Sequence, residues 1–160
     1  MRYLLIDRIR RLECNKCIHA IKNVALSEDI YTEHFFGYPV MPGALLVECL
    51  AQAGTALLEV SAKFKKKALL VMIDQAKFRC MVRPGDQLTI EANTISVNDD
   101  SAQISGSIYV EERLAVSARL SFALKQVDEY YPQKVRHLIE TLYDVWLREA
   151  DLIGVSIQRD

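Results

Sequence analysis

His34 and Glu48 are the two side chains whose types and settings are best suited to do chemistry together. The histidine stands in residues 27–41, a stretch rich in Gly, Pro, aromatic and acidic residues that has neither helical nor strand periodicity and reads as an ordered, function-bearing loop. The glutamate follows Pro42-Gly43 in an almost unbroken apolar run reaching about Lys63, among Leu45, Leu46, Val47, Cys49 and Leu50. An imidazole titrates close to neutral pH and suits a general base. A carboxyl removed from water without a compensating partner is costly to ionise and tends to hold its proton, which suits a general acid. Taken singly, each has an ordinary alternative: a loop histidine at the surface, or a helix glutamate reaching solvent or a lysine. Taken together they point to acid–base chemistry.

Such a pair needs elements to hold it. Proline suits a first helical turn, so the spacing predicts a helix from Pro42-Gly43 to about Lys63, with apolar residues on nearly every face and therefore surrounded by protein. Residues 3–26 predict two strands with a turn at Glu13 to Lys16. Leu69 to Phe78 and Gln87 to Val97 predict two more, separated by the turn Arg83-Pro84-Gly85-Asp86. The clearest alternation runs through Ala102, Ile104, Gly106, Ile108 and Val110, then Leu114, Val116, Ala118, Leu120, Phe122 and Leu124, with the hairpin at Glu111 to Arg113. A long antiparallel sheet wrapped on one buried helix is the simplest way to cover both, a hotdog-like α+β layout. Residues 1–127 are expected to form this domain, and residues 128–160 a helical extension packed on it.

Composition narrows the function. The chain has 160 residues, 51% of them apolar, enough to fill a single core. Its net charge of −1 gives no general case for nucleic acid or an anionic membrane surface. Unbroken apolar runs such as Ala68 to Ile73 fall far short of the roughly 20 residues that span a bilayer, and the charged N-terminal stretch lacks the pattern of a secretory signal. A cytoplasmic protein is expected. Cys14 and Cys17 form a C-x-x-C pair, but no second pair of close-spaced ligands or strand-to-helix redox turn accompanies it, so neither a metal nor a redox role is expected.

The stretch from His34 to Gln52 resembles the active-site segment of the 3-hydroxyacyl-acyl-carrier-protein dehydratases, the FabZ and FabA group. His34, Phe35, Gly37, Pro39, Pro42, Gly43, Glu48, Ala51 and Gln52 stand at matching positions. The likeness continues in Ile73 to Phe78 and Val82 to Leu88, and covers roughly Tyr3 to Leu124. Phe36 replaces the proline usual in the FabZ branch, whereas Glu48 in place of aspartate favours that branch, which dehydrates without moving the double bond. The resemblance implies dehydration to a trans-2-enoyl thioester, with His34 as base, Glu48 as acid and the Gly43 N–H as donor to the enolate-like oxygen. Gly37 and Gly43 would let the backbone approach the substrate. It also implies sites shared across a homodimer, with a trimer of dimers as a further assembly, and no metal or organic cofactor.

Phe36, Tyr38 and Met41 are candidates for lining or gating an acyl tunnel beside the helix. Lys63, Lys65, Lys66, Lys67, Lys77, Arg79 and Arg83 would form a basic rim for the acidic acyl carrier protein, or simply a solvated face. A hotdog thioesterase and a dehydratase-like assembly subunit are the competing readings, because a fold alone does not settle function. Beyond the resemblance, Val135, Leu138, Ile139, Leu142, Trp146 and Leu147 recur at helical spacing. That stripe is expected to dock on the body or on a neighbour without supplying a catalytic group; His137 and Glu140 stand at neighbour spacing on the same segment.

Overall fold

The computed structural model describes residues 4–31, 34–35, 37–127 and 133–155, with the backbone alone at 133–138 and 140. Strands β1 (Arg8–Glu13) and β2 (Cys17–Asn23) form the first hairpin, and a short 3-10 turn at Asp29–Tyr31 leads into the His34 loop. Helix α1 (Gly43–Ser61) follows, then β3 (Lys66–Phe78), β4 (Gln87–Val97), β5 (Ser101–Val110) and β6 (Arg113–Gln126). Helix α2 (Gln133–Leu147) and β7 (Asp151–Ile153) complete the chain's elements. The strands make one sheet in the order β3-β6-β5-β4-β2-β1-β7.

Alternation sets which face of the sheet is buried. Every second residue of β5 and β6 points inward, including Ile104, Ile108, Leu120 and Phe122, and the inner face of β2 to β6 curls around α1. This is the hotdog arrangement. By length and composition α1 would itself span a bilayer, but 67% of its most apolar window lies inside the sheet's wrap. Counting unbroken apolar runs overlooked it, because single polar residues interrupt the helix. Those residues, Glu48, Gln52 and Thr55, form one less buried stripe, so the helix is not enclosed on every side.

Several boundaries move. Pro42 is the residue before the helix rather than its first turn, with φ −55° and ψ 134°, and its carbonyl accepts from the Leu45 and Leu46 N–H groups. The helix stops at Ser61, two left-handed residues follow at Lys63 and Phe64, and β3 starts at Lys66 rather than Leu69. Strand β7 lies parallel beside β1, so the sheet is not wholly antiparallel. Residues 133–155 thus join the body through a strand as well as a helix. Tyr143, Trp146 and Leu147 of α2 belong to the same core as α1, and Arg8 pairs with Glu149 at 2.9 Å.

At the other edge β3 is open. Leu70, Val71, Met72, Ile73 and Phe78 are all exposed along it, a row of apolar side chains beside unpaired backbone groups.

Candidate active site

The loop before α1 is built by backbone pairing. Val40 N–H donates to the His34 carbonyl at 3.0 Å, Phe35 and Tyr38 exchange N–H···O bonds of 3.2 and 2.9 Å, and Met41 N–H donates to Val82 at 2.8 Å. Gly37 permits the tight return: its φ of +74° lies where an L side chain is strained. Its space is open, since a Cβ there would meet nothing within 4 Å. Lys22 braces the start of the loop through Glu28 at 2.6 Å and Asp7 at 3.6 Å. Burial pushes its ammonium down, but the hydrogen bond to Glu28 and the two carboxylates outweigh that and leave it raised.

The histidine is oriented by its own loop. Nδ1 of His34 lies 3.0 Å from the Val40 carbonyl oxygen. A carbonyl only accepts, so Nδ1 carries the proton and the neutral ring presents its lone pair at Nε2. The ring is half-buried and tilts against Phe35 at 4.3 Å between centroids.

Glu48 sits in the second turn of α1, half-buried rather than sealed among apolar neighbours. Gln52, one turn on, donates through Nε2 to its Oε1 at 3.0 Å, while the Gln52 side-chain Oε1 accepts from Leu5 N–H at 2.9 Å. Gln52 therefore positions the carboxylate and ties it to the N-terminal strand region, a role the sequence motif contained without assigning. Glu48 faces a cavity of about 370 Å³ between α1, β3 and α2, and His34 is not part of that cavity's wall.

The remaining candidates separate by position. Gly43 opens α1, whose first N–H groups have no partner within the helix. The missing Gly43 side chain makes room for Phe78, whose ring would stand 3.0 Å from a Cβ. Met41 is packed in the core at 2% exposure, whereas Tyr38 is exposed with the Arg83 guanidinium 4.4 Å above its ring. Phe36 lies outside the described residues, as do the side chains of His137 and Glu140.

The basic rim divides. Lys63 and Lys65 follow the C-terminal end of α1, and Lys66 reaches Asp99. Arg83 belongs with the loop at the other end, about 28 Å away along a 19-residue helix, so the seven cations form no single patch. Lys67 leaves the rim altogether: it turns inward to Glu59 at 2.6 Å. Arg79 donates to Ser117 and, like Lys77, is exposed. Glu59 was missed in the sequence. It is the most buried carboxylate among the described residues, at 3% exposure, and accepts from Tyr143 Oη at 2.7 Å and from Ala68 N–H at 3.3 Å. The spacing Glu48, Gln52, Thr55, Glu59 is the signal that reveals this polar stripe.

Residues 1–119 match the FabA-like domain model. The chain is 42% identical over 125 residues to the 3-hydroxyacyl-[acyl-carrier-protein] dehydratase FabZ of Desulforamulus reducens, covering 78% of this chain and 88% of that protein. The FabZ of Symbiobacterium thermophilum is 38% identical over 135 residues, covering 84% and 94%. Among solved structures, smu.793 from Streptococcus mutans bound to acetyl CoA superposes with a TM-score of 0.61 at 11% identity, over 74% of this chain and 88% of that one. The thioesterase HI1161 from Haemophilus influenzae gives 0.58 at 19% identity, over 73% and 77%. At such identities these two structures share the fold alone, whereas the family-model match runs through both His34 and Glu48. The chain belongs to the FabA-like family, among its FabZ-type 3-hydroxyacyl-[acyl-carrier-protein] dehydratases.

Proposed function

We propose that the protein removes water from 3-hydroxyacyl-acyl-carrier-protein, giving the trans-2-enoyl thioester, at sites that each combine His34 of one copy with Glu48 of another. The observation that carries this reading is a His34 ring held through Nδ1 by the Val40 carbonyl, together with a Glu48 that lines a cavity whose wall does not include His34. Nε2 takes the Cα proton, the Gly43 N–H steadies the charge gathering on the thioester oxygen, and Glu48, in its acid form, gives its proton to the departing hydroxyl. The C3–O bond breaks, water leaves and the C2–C3 double bond forms. His34 then returns its proton to Glu48 through water, closing the cycle without a metal or organic cofactor.

The open β3 edge supports the second copy. An apolar strand with free backbone groups pairs readily with its own symmetry mate, which would bring two hotdog units side by side as a homodimer. Lys77, Arg79 and Arg83, near the His34 loop, would meet the acidic carrier protein in the cytoplasm, with Tyr38 held at the entrance by Arg83. The test is complementation. His34→Ala and Glu48→Gln should each lose on the order of 10²- to 10⁴-fold in enoyl-forming turnover while remaining folded. Subunit exchange between the two dead variants should restore part of the activity, because some mixed dimers hold one intact site. Turnover near the wild-type rate in either variant, or no recovery after exchange is verified by mass, refutes the shared site.

A further inference from the structure

The cavity in front of Glu48 has a wall that the family match does not supply. Its floor is α1 and β3, through Ala51, Gln52, Thr55, Leu69 and Leu70, but its far side is α2, through Ile139, Leu142, Tyr143 and Trp146. The matched domain ends at residue 119, before α2 begins. From Glu48 the stripe of α1 runs past Gln52 to Thr55, about 10 Å along the helix axis, towards the place where α2 is fastened.

That fastening is firm. Tyr143 Oη donates to the buried Glu59, which also holds Lys67, and Tyr143 and Trp146 pack edge to face at 5.6 Å. Three of the polar groups around the cavity are committed to protein partners: the Gln52 amide to Glu48 and Leu5, the Lys67 ammonium to Glu59 and the Tyr143 hydroxyl to Glu59. What they turn towards the space is largely carbon. At about 370 Å³ the cavity lies in the range of small-ligand sites, and it opens on the carboxyl that would meet the reacting end of the substrate.

We propose that α2 is the end wall of the acyl-chain pocket and sets the longest 3-hydroxyacyl chain that the protein turns over. The inference rests on the role of Glu48 proposed above. The occupant is the alkyl tail of the substrate: its thioester end lies at Glu48 and its terminal methyl runs against Leu142 and Trp146.

The experiment compares kcat/KM of the full chain for 3-hydroxybutanoyl, 3-hydroxyoctanoyl and 3-hydroxyhexadecanoyl carrier-protein thioesters. Leu142→Ala and Ile139→Ala open the wall and should raise the ratio of long-chain to short-chain kcat/KM by about tenfold or more, the scale set by one or two methylenes in an apolar pocket. Leu142→Trp fills it and should lower the same ratio. Opposite shifts from emptying and filling one position are not produced by loss of stability, which moves all three substrates together. Parallel loss on every chain length, or an unchanged ratio in folded variants, overturns the role of α2. Glu48→Gln run alongside separates the two claims: if it stays active the catalytic assignment fails, and if it is dead while the ratios do not move, only the end wall fails.

Discussion

Helix α1 carries two glutamates on one face, Glu48 and Glu59, three turns apart, and the chain treats them in opposite ways. Glu59 is closed off and satisfied: Lys67, Tyr143 Oη and the Ala68 N–H converge on it from β3 and α2. Glu48 is half-buried before a cavity and receives one hydrogen bond, from Gln52, among the described residues. The same residue type in the same apolar helix is a fastener at one end and, in the function proposed above, a reagent at the other. Burial does not distinguish them in the expected direction, since the more buried carboxylate is the structural one. What separates them is whether the chain itself has used up the carboxylate's oxygens.

The contrast predicts a crossed result, and its catalytic arm is the largest effect expected. Glu48→Gln keeps the size of the side chain and its contact with Gln52 but removes the ionisable proton, so turnover should fall on the order of 10²- to 10⁴-fold with little change in melting temperature. Lys67→Met leaves Glu59 buried without its cation and should destabilise the fold by about 3 to 5 kcal/mol, the cost of breaking a buried ion pair. The surviving folded Lys67→Met protein should still turn over a short-chain substrate, read by enoyl absorbance beside a denaturant titration. If Glu48→Gln mainly melts the protein, or Lys67→Met mainly stops chemistry at full stability, the two ends of α1 have been assigned the wrong way round.

A smaller effect isolates the contribution of α2. Tyr143→Phe removes one hydroxyl from Glu59, and a hydrogen bond to a buried charged group sets a loss of about 1.5 to 3 kcal/mol. The ring contacts with Phe64 and Trp146 would remain, so α2 should stay docked. A melting temperature equal to wild type would show that the fastening at Glu59 lies in Lys67 alone and that apolar packing holds the helix.

Much of this was legible before any coordinates. The β5–β6 hairpin declares itself through strict alternation, and β4 spans the residues its pattern gives, because a sheet with one buried face writes a period of two into the sequence. The candidate acid and base could be proposed from the sequence because their motif is local, all within residues 34–52. Glu59 was not, since its partner Tyr143 comes from 84 residues away and no local pattern announces such a meeting. Lys67 read as one more cation in a basic run for the same reason: what turns it inward is a buried carboxylate on another element. Strand β7 is three residues long, too short for alternation to register, and its pairing with β1 depends on where α2 delivers the chain.

The mildest test uses Cys49, the neighbour of Glu48 that points the other way, into the core, at 0% exposure. Burial first, with a small further push from the Glu48 charge against a pull from Lys22, raises its thiol to about 12. An unfolded cysteine ionises near a pKa of about 8.5. The folded chain therefore holds this proton over a window in which the unfolded chain releases it. The stability that this group contributes is present in full below about pH 8.5 and is lost progressively as pH rises from there towards about 12. Cys49→Ala removes that dependence, so the gap in denaturant midpoint between wild type and the variant should be constant from pH 6 to about 8 and then narrow up to about pH 10. Differencing against the variant cancels the alkaline titration of the other cysteines and the lysines. A gap that stays level across this range would mean that the Cys49 face of α1 is as open to solvent as the Glu48 face, and the division of the helix into a sealed side and a reacting side would not stand.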